Sequence, residues 1–163
     1  MDHLVCNALE VSPGSDIRIT RFDHGMQEAF RVLVLDGMAE RWRSVDESLN
    51  PDLDDIDTHY SNDCVLVALD GARVVGTGIL LLRETEGEIV RMSVHRDYRR
   101  RGIATQLLAE LLHLASEYGV KRIVVETNAK WKEARSLYEV IRLQVHPLAP
   151  GVFGRESFYE LLI

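Results

Sequence analysis

Between Glu88 and Glu126 the apolar pattern changes period twice, and that change constrains the fold more than any other feature. Glu88 to His95 reads as a strand. Ile103, Leu107, Leu111, Leu114 and Tyr118 then fall on one helical stripe. Gly119 follows as a left-handed stop, with Val120 as the apolar residue beyond it, the pattern of a Schellman-type helix end. Arg122 to Glu126 reads as a second strand. A strand, a helix and a strand in this order form a crossover, which makes the two strands parallel.

The strands before this unit pair differently. Cys64–Leu69, Val74–Leu82 and Glu88–His95 are separated by Asp70-Gly71 and by Glu84–Gly87, both turn signals. They predict an antiparallel meander. The long apolar run Val74–Leu82 implies cover on both faces. Ile17–Thr20 alternates as a short strand. A helix follows over about 24–43, with Asp23 as N-cap and Asp36-Gly37 as a point of bending or splitting. Residues 44–62 read as an acidic surface loop, with a short helix after Pro51. A second helix is predicted over 130–141, and two closing strands over 143–146 and 156–162. The fold class is therefore α/β: a mixed, mostly antiparallel central sheet flanked by helices. With 163 residues, one domain over 17–163 is expected, after a flexible lead-in over 1–16.

Charge narrows the partners. The net charge is −7, and residues 91–101 carry a local +4 from Arg91, Arg96, Arg99, Arg100 and Arg101 against Asp97, leaving −11 for the rest. Nucleic-acid binding needs a broad basic footprint, so it is not expected. One basic spot on an acidic chain suits a small anion. Cys6 and Cys64 are too few for a disulfide framework, and Cys64 sits in an apolar run. Neither an apolar membrane span nor a signal peptide is visible, so a soluble, cytoplasmic protein is expected. His95 and His113 have no partner at metal spacing, and no metal is expected.

The basic spot lies where the strand turns into the helix, over Arg99-Arg100-Arg101-Gly102-Ile103-Ala104-Thr105. Helix-start N–H groups are unpaired, the helix dipole is positive there, and Gly102 lets a ligand approach the backbone. These features suit a pyrophosphate. No P-loop is present, and Gly76-Thr77-Gly78 lacks the third glycine of a dinucleotide fingerprint.

Arg99-x-x-Gly102-x-Ala104, following Glu88-Ile89-Val90 and followed by Ala134-x-x-Leu137-Tyr138, resembles the GNAT superfamily of N-acetyltransferases. The ordered match covers residues 64–146. The resemblance implies the GNAT-like acyl-CoA N-acyltransferase fold, in which the two parallel strands splay apart. It implies acetyl-CoA as co-substrate, with the pyrophosphate on Arg99–Thr105 and the pantetheine arm along the backbone of Met92, Ser93 and Val94. It makes Glu88 the candidate general base, with Glu126 competing, and Tyr138 the group that assists the departing thiolate. The Met92 N–H would polarise the thioester carbonyl. Pleating puts Glu88 on one face with Val90, Met92 and Val94, unless a bulge flips the register.

Two positions depart from the family pattern. Trp131 stands where the family often has Asn, with Asn128 three residues earlier, and Arg142-Leu143 replace the usual Gly-Phe. Asn128, Trp131 and Ala134 are the candidate side contacts to the cofactor. The expected acceptor is a small-molecule or peptide amine, and a homodimer is compatible with the reading. The rival is a catalytically weak acyl-CoA-binding regulatory module, favoured by Trp131.

Overall fold

The computed structural model describes residues 16–128, 136–137, 144–146, 150–151 and 154–162. The expected lead-in over 1–16 lies outside them apart from Asp16, as does the helix over 130–141 apart from the helical pair Ser136 and Leu137.

Strand β1 (Ile17–Arg21) comes first. Asp23 then caps a short 3-10 turn by accepting from the Gly25 N–H at 2.8 Å, and the turn runs into α1 (Gln27–Trp42). The expected break at Asp36-Gly37 does not occur. Gly37 instead lies against the sheet, where an added Cβ would meet Ser93 Oγ at 2.6 Å. Two 3-10 turns, Glu47–Leu49 and Pro51–Leu53, and the short α2 (Ile56–His59) fill the acidic segment.

The meander is as expected: β2 (Cys64–Asp70), β3 (Arg73–Leu82) and β4 (Glu86–Val94) pair antiparallel. Strand β4 starts at Glu86, so Gly87 belongs to the sheet, opposite Leu82, rather than to the turn. Helix α3 (Ile103–Glu117) crosses back to β5 (Arg122–Asn128), which is parallel to β4. The helix end has Schellman geometry: Gly119 has φ +74°, and Val120 and Gly119 donate to the Ala115 and Ser116 carbonyls, each at 3.0 Å. Strands β6 (Gln144–His146), β7 (Pro150–Gly151) and β8 (Gly154–Leu162) follow. The sheet order is β1-β2-β3-β4-β5-β8-β6, with β7 on β8.

The sheet carries a core on each face. One lies under α3 and contains Leu66, Leu80, Ile89, Ile103, Leu107 and Leu111. The other lies under α1 and the 44–63 segment and contains Phe30, Leu53, Ile56, Val67 and Ile79. Gly76 sets the depth of α3 on the sheet. A Cβ there would stand 3.0 Å from Ile103 Cγ2 and from Leu107 Cδ1. The Gly76-Thr77-Gly78 stretch thus serves helix packing rather than phosphate binding. Cys64 is buried and free, in line with its reading as a small hydrophobe.

Candidate active site

Strands β4 and β5 part company halfway along. Their parallel pairing runs from Glu86↔Arg122 to Ile89↔Val125 and stops there. Beyond it β5 continues beside β8 to Asn128↔Glu156, and β4 continues beside β3 to Val94↔Gly76. The second half of β4, Val90–Val94, therefore has one edge without a strand partner among the described residues. This is the expected splay.

A bulge lies at the same place. Thr77 pairs with Ser93 and Ile79 with Val90, so Gly78 alone faces both Arg91 and Met92. Arg91 has φ +55°, a left-handed conformation that costs an L-residue about 1–2 kcal/mol. The bulge reverses the alternation of side chains. Ile89, Met92 and Val94 pack with the α3-side core, whereas Val90 packs with the α1-side core. Ser93 reaches α1, its Oγ donating to the Leu33 carbonyl at 3.3 Å. Glu88, directly opposite Leu81 of the α1-side core, shares that face. The expectation that Glu88 lies on one face with Met92 and Val94 is thus corrected: only Val90 stays with it.

The same bulge aims a donor. Thr77 Oγ1 donates to the Arg91 carbonyl at 2.8 Å, so that carbonyl points towards β3. A trans peptide holds its C=O and N–H on opposite sides, and no peptide among the described residues is cis. The Met92 N–H is thereby directed away from β3, towards the edge that β5 has left.

The basic turn closes the far end of β4. A 3-10 turn (Arg96–Tyr98) leads to Arg99, Arg100 takes φ +61°, and Gly102 caps α3 at φ +79°. The Gly102 conformation brings the free N–H groups at the start of α3 to the surface. Nothing nearer than Gln106 Nε2, at 3.9 Å, would meet a Cβ on Gly102. Ile103 is buried, so its backbone alone faces the turn; Ala104 is partly exposed and Thr105 is exposed. Arg101 stacks over the Tyr98 ring at 5.0 Å, and the Tyr98 hydroxyl donates to Asp70 at 2.5 Å. Arg99 donates from Nε to the Val94 carbonyl at 3.1 Å and pairs through Nη1 with Glu40 at 2.8 Å. Gln106 Oε1 is buried without a hydrogen-bond partner among the described residues, one turn into α3. Orphan N–H groups, arginines and an unused acceptor fit a phosphate-bearing ligand with an amide-rich arm. Gln106 escaped the sequence reading because a lone Gln on a helix carries no distinctive spacing.

Across the split, the α1 face presents the 44–63 segment. Within it Asp52 is buried, contrary to the expectation of a solvated acidic loop. Its carboxylate takes a fork from Arg91, Nε to Oδ2 at 2.9 Å and Nη2 to Oδ1 at 2.7 Å, and a bond from the Tyr60 hydroxyl at 2.5 Å. Burial pushes the Asp52 pKa up, but the bonds from Tyr60 and Arg91 outweigh it, and the group sits below the ordinary carboxylate range. Asp52 and Tyr60 were missed because an acid in an acidic run looks solvated.

Trp131, Ala134 and Tyr138 lie outside the described residues, and Asn128 and Glu126 are described only as β5 backbone. Glu126 occupies the first β5 position past the split. No group of three or more His, Cys, Asp or Glu suited to a metal occurs among the described residues.

This geometry has relatives. The family model of the acetyltransferase (GNAT) family matches residues 31–141. Human N-acetyltransferase 8B is 33% identical over 106 residues, which are 60% of this chain and 47% of that protein. The probable N-acetyltransferase camello of Xenopus tropicalis is 33% identical over 109 residues, 63% of this chain and 47% of that protein. The match thus spans about half the length of these relatives. Among solved structures, a GNAT-family acetyltransferase of Staphylococcus aureus superposes with a TM-score of 0.78 at 22% identity, over 89% of this chain and 99% of that one. The PaiA N-acetyltransferase of Thermoplasma acidophilum, solved with coenzyme A, gives 0.77 at 15% identity, over 90% and 99%. These structures share the fold. With the family model covering most of its length and the sheet split beside a bulged fourth strand, the chain belongs to the GNAT acetyltransferase family.

Proposed function

We propose that the chain moves an acetyl group from acetyl-CoA to a primary amine, with both substrates bound at once. The observation that carries this reading is the edge of β4, without a strand partner among the described residues, that ends at the basic turn of Arg99–Thr105. That edge offers backbone partners to an amide-bearing arm, and the turn offers N–H groups and arginines to a pyrophosphate. Met92, Ser93 and Val94 would hold the arm. The Val94 carbonyl is engaged by Arg99, so the Met92 and Val94 amide groups carry more of the pairing. Asn128, Trp131 and Ala134 remain side contacts of the proposal.

Each residue then has a role. The Met92 N–H donates to the thioester oxygen as negative charge develops there. Glu88 stands on the α1 face, from which an acceptor would enter the split. An alkylamine of pKa about 10.4 is only about 0.04% neutral at pH 7, so a base must take its proton. The amine nitrogen forms its bond to the carbonyl carbon, the proton passes to Glu88 directly or through water, and the carbon–sulfur bond breaks. Tyr138 stabilises or protonates the thiolate. Glu126 is the competing base. The −11 balance outside the basic segment favours a cationic acceptor, a small molecule or a peptide. The reading includes a cytoplasmic setting and admits a homodimer.

The test is a thiol-release screen over polyamines, aminoglycosides, amino acids and peptides. Turnover with an amine supports the proposal. Coenzyme A binding without turnover on any acceptor supports the regulatory module instead.

A further inference from the structure

Arg91 is held more firmly than a strand residue needs. Thr77 Oγ1 grips its carbonyl at 2.8 Å, and Asp52 grips its guanidinium through two bonds of 2.9 and 2.7 Å. Nη1 rests 3.5 Å from Met38 Sδ, on α1. Asp52 is itself fixed by the Tyr60 hydroxyl at 2.5 Å. Thr77 and Asp52 are buried. A largely buried ion pair, with Arg91 still partly exposed, is a poor device for stability, since apolar residues of like volume often hold two layers as well. What a two-pronged pair supplies is direction, because the fork fits a carboxylate in one orientation.

We infer that Asp52 and Thr77 act through Arg91 as positioning residues that lock the Arg91–Met92 peptide and so aim the Met92 N–H into the split. The inference rests on the reading of that N–H as the donor to the thioester. Asp52 and Thr77 grip opposite ends of one residue whose backbone conformation is left-handed. Without the fork, Arg91 has reason to relax to an ordinary extended conformation, which would rotate the peptide and return the alternation of β4 to its unbroken form. Asp52 lies in the turn Pro51–Leu53 between α1 and α2. The lock therefore also ties the acceptor-side segment to the donor.

Isotope-edited infrared spectroscopy on the full chain tests this without any acceptor. Acetyl-CoA labelled with carbon-13 at the carbonyl is bound to the wild type, to Asp52→Asn and to Thr77→Val. Donation by Met92 should move the carbonyl band to lower wavenumber in the wild type. In both variants the band should return towards its position in free acetyl-CoA, while coenzyme A affinity by calorimetry stays within about twofold, since the anion turn is untouched. Once an acceptor is known, kcat should fall by about 10²-fold, the scale of losing one oxyanion donor, with KM for acetyl-CoA little changed. Arg91→Lys keeps the charge but not the fork, and its band should likewise return towards that of free acetyl-CoA. Thr77→Val serves if Asp52→Asn does not fold. A shifted band that persists in the folded variants overturns the positioning role and leaves acetyl transfer standing. An unshifted wild-type band overturns the Met92 reading and the lock together. A loss of coenzyme A affinity as large as the loss of rate also overturns the lock, because damage to the fold then accounts for both.

Discussion

Arg99, the first residue of the basic turn, is paired with Glu40 near the end of α1, Nη1 to Oε2 at 2.8 Å. The contact joins the layer that covers the acceptor side to the turn assigned to the pyrophosphate. In the proposed complex the Glu40 carboxylate would compete with a phosphate for Arg99.

Glu40→Gln should therefore tighten coenzyme A binding. Both partners are about two-fifths exposed, and exposed pairs are worth about 0.2–1 kcal/mol, so the gain should not exceed about fivefold. Reversing the charge of Arg99 and Arg101 together should do the opposite, weakening binding and flattening its dependence on salt. Calorimetry at two ionic strengths checks both. Weaker binding by Glu40→Gln would mean that Glu40 orients Arg99 for the ligand rather than competing with it.

The seat of α3 on the sheet gives a second expectation. Gly76→Val would push against Ile103, Leu107 and Ala68, all within 3.1 Å of the added Cβ. Overpacking of this kind costs about 1–3 kcal/mol. For a chain of this length each kcal/mol lowers Tm by about 2–4 °C. Because Ile103 is the first residue of α3 beyond Gly102, coenzyme A affinity should fall with Tm. A lowered Tm with unchanged affinity would show that the turn is positioned independently of the helix seat.

The parts of this site that local pattern specifies were legible, and the parts that distant contacts specify were not. The stripe Ile103–Leu114, Gly119 and the flanking strands are each set by neighbours in sequence, so the crossover and its basic turn could be placed without a structure. The bulge could not. Left-handed backbone is usually announced by Gly or Asn, and Val90-Arg91-Met92 contains neither. Its conformation is stabilised by Asp52, thirty-nine positions earlier, within a run whose seven acids suggested solvent. Gly37 misled in the converse way. It resembles a helix break, yet it serves the close approach of α1 to Ser93.

Tyr138→Phe separates two roles for the phenol. It removes one hydroxyl and keeps the ring, so the fold should survive. If the hydroxyl acts only as the thiolate departs, kcat and kcat/KM should fall together. If it holds the cofactor in the ground state, KM for acetyl-CoA should rise with kcat nearly constant. Steady-state kinetics that match the wild type in both parameters would assign Tyr138 to packing and leave the thiolate to water.

Glu88→Gln tests the base, and the bulge sharpens the expectation. Glu88 and Met92 belong to opposite faces of β4, so the substitution can remove basicity without touching the contacts of Met92. The band of bound labelled acetyl-CoA and the affinity for coenzyme A should both stay as in the wild type. General-base catalysis contributes about 10²–10⁴-fold, and turnover at pH 7 should fall on that scale. The deficit should shrink as pH rises towards the amine's own pKa of about 10.4, where the acceptor arrives already neutral and its last proton can leave the tetrahedral intermediate to water or hydroxide. The readout is the ratio of wild-type to variant kcat/KM against pH. A ratio that is small and flat across the range would move the role to Glu126, at the first β5 position past the split, and Glu126→Gln should then reproduce the slope that Glu88→Gln lacks.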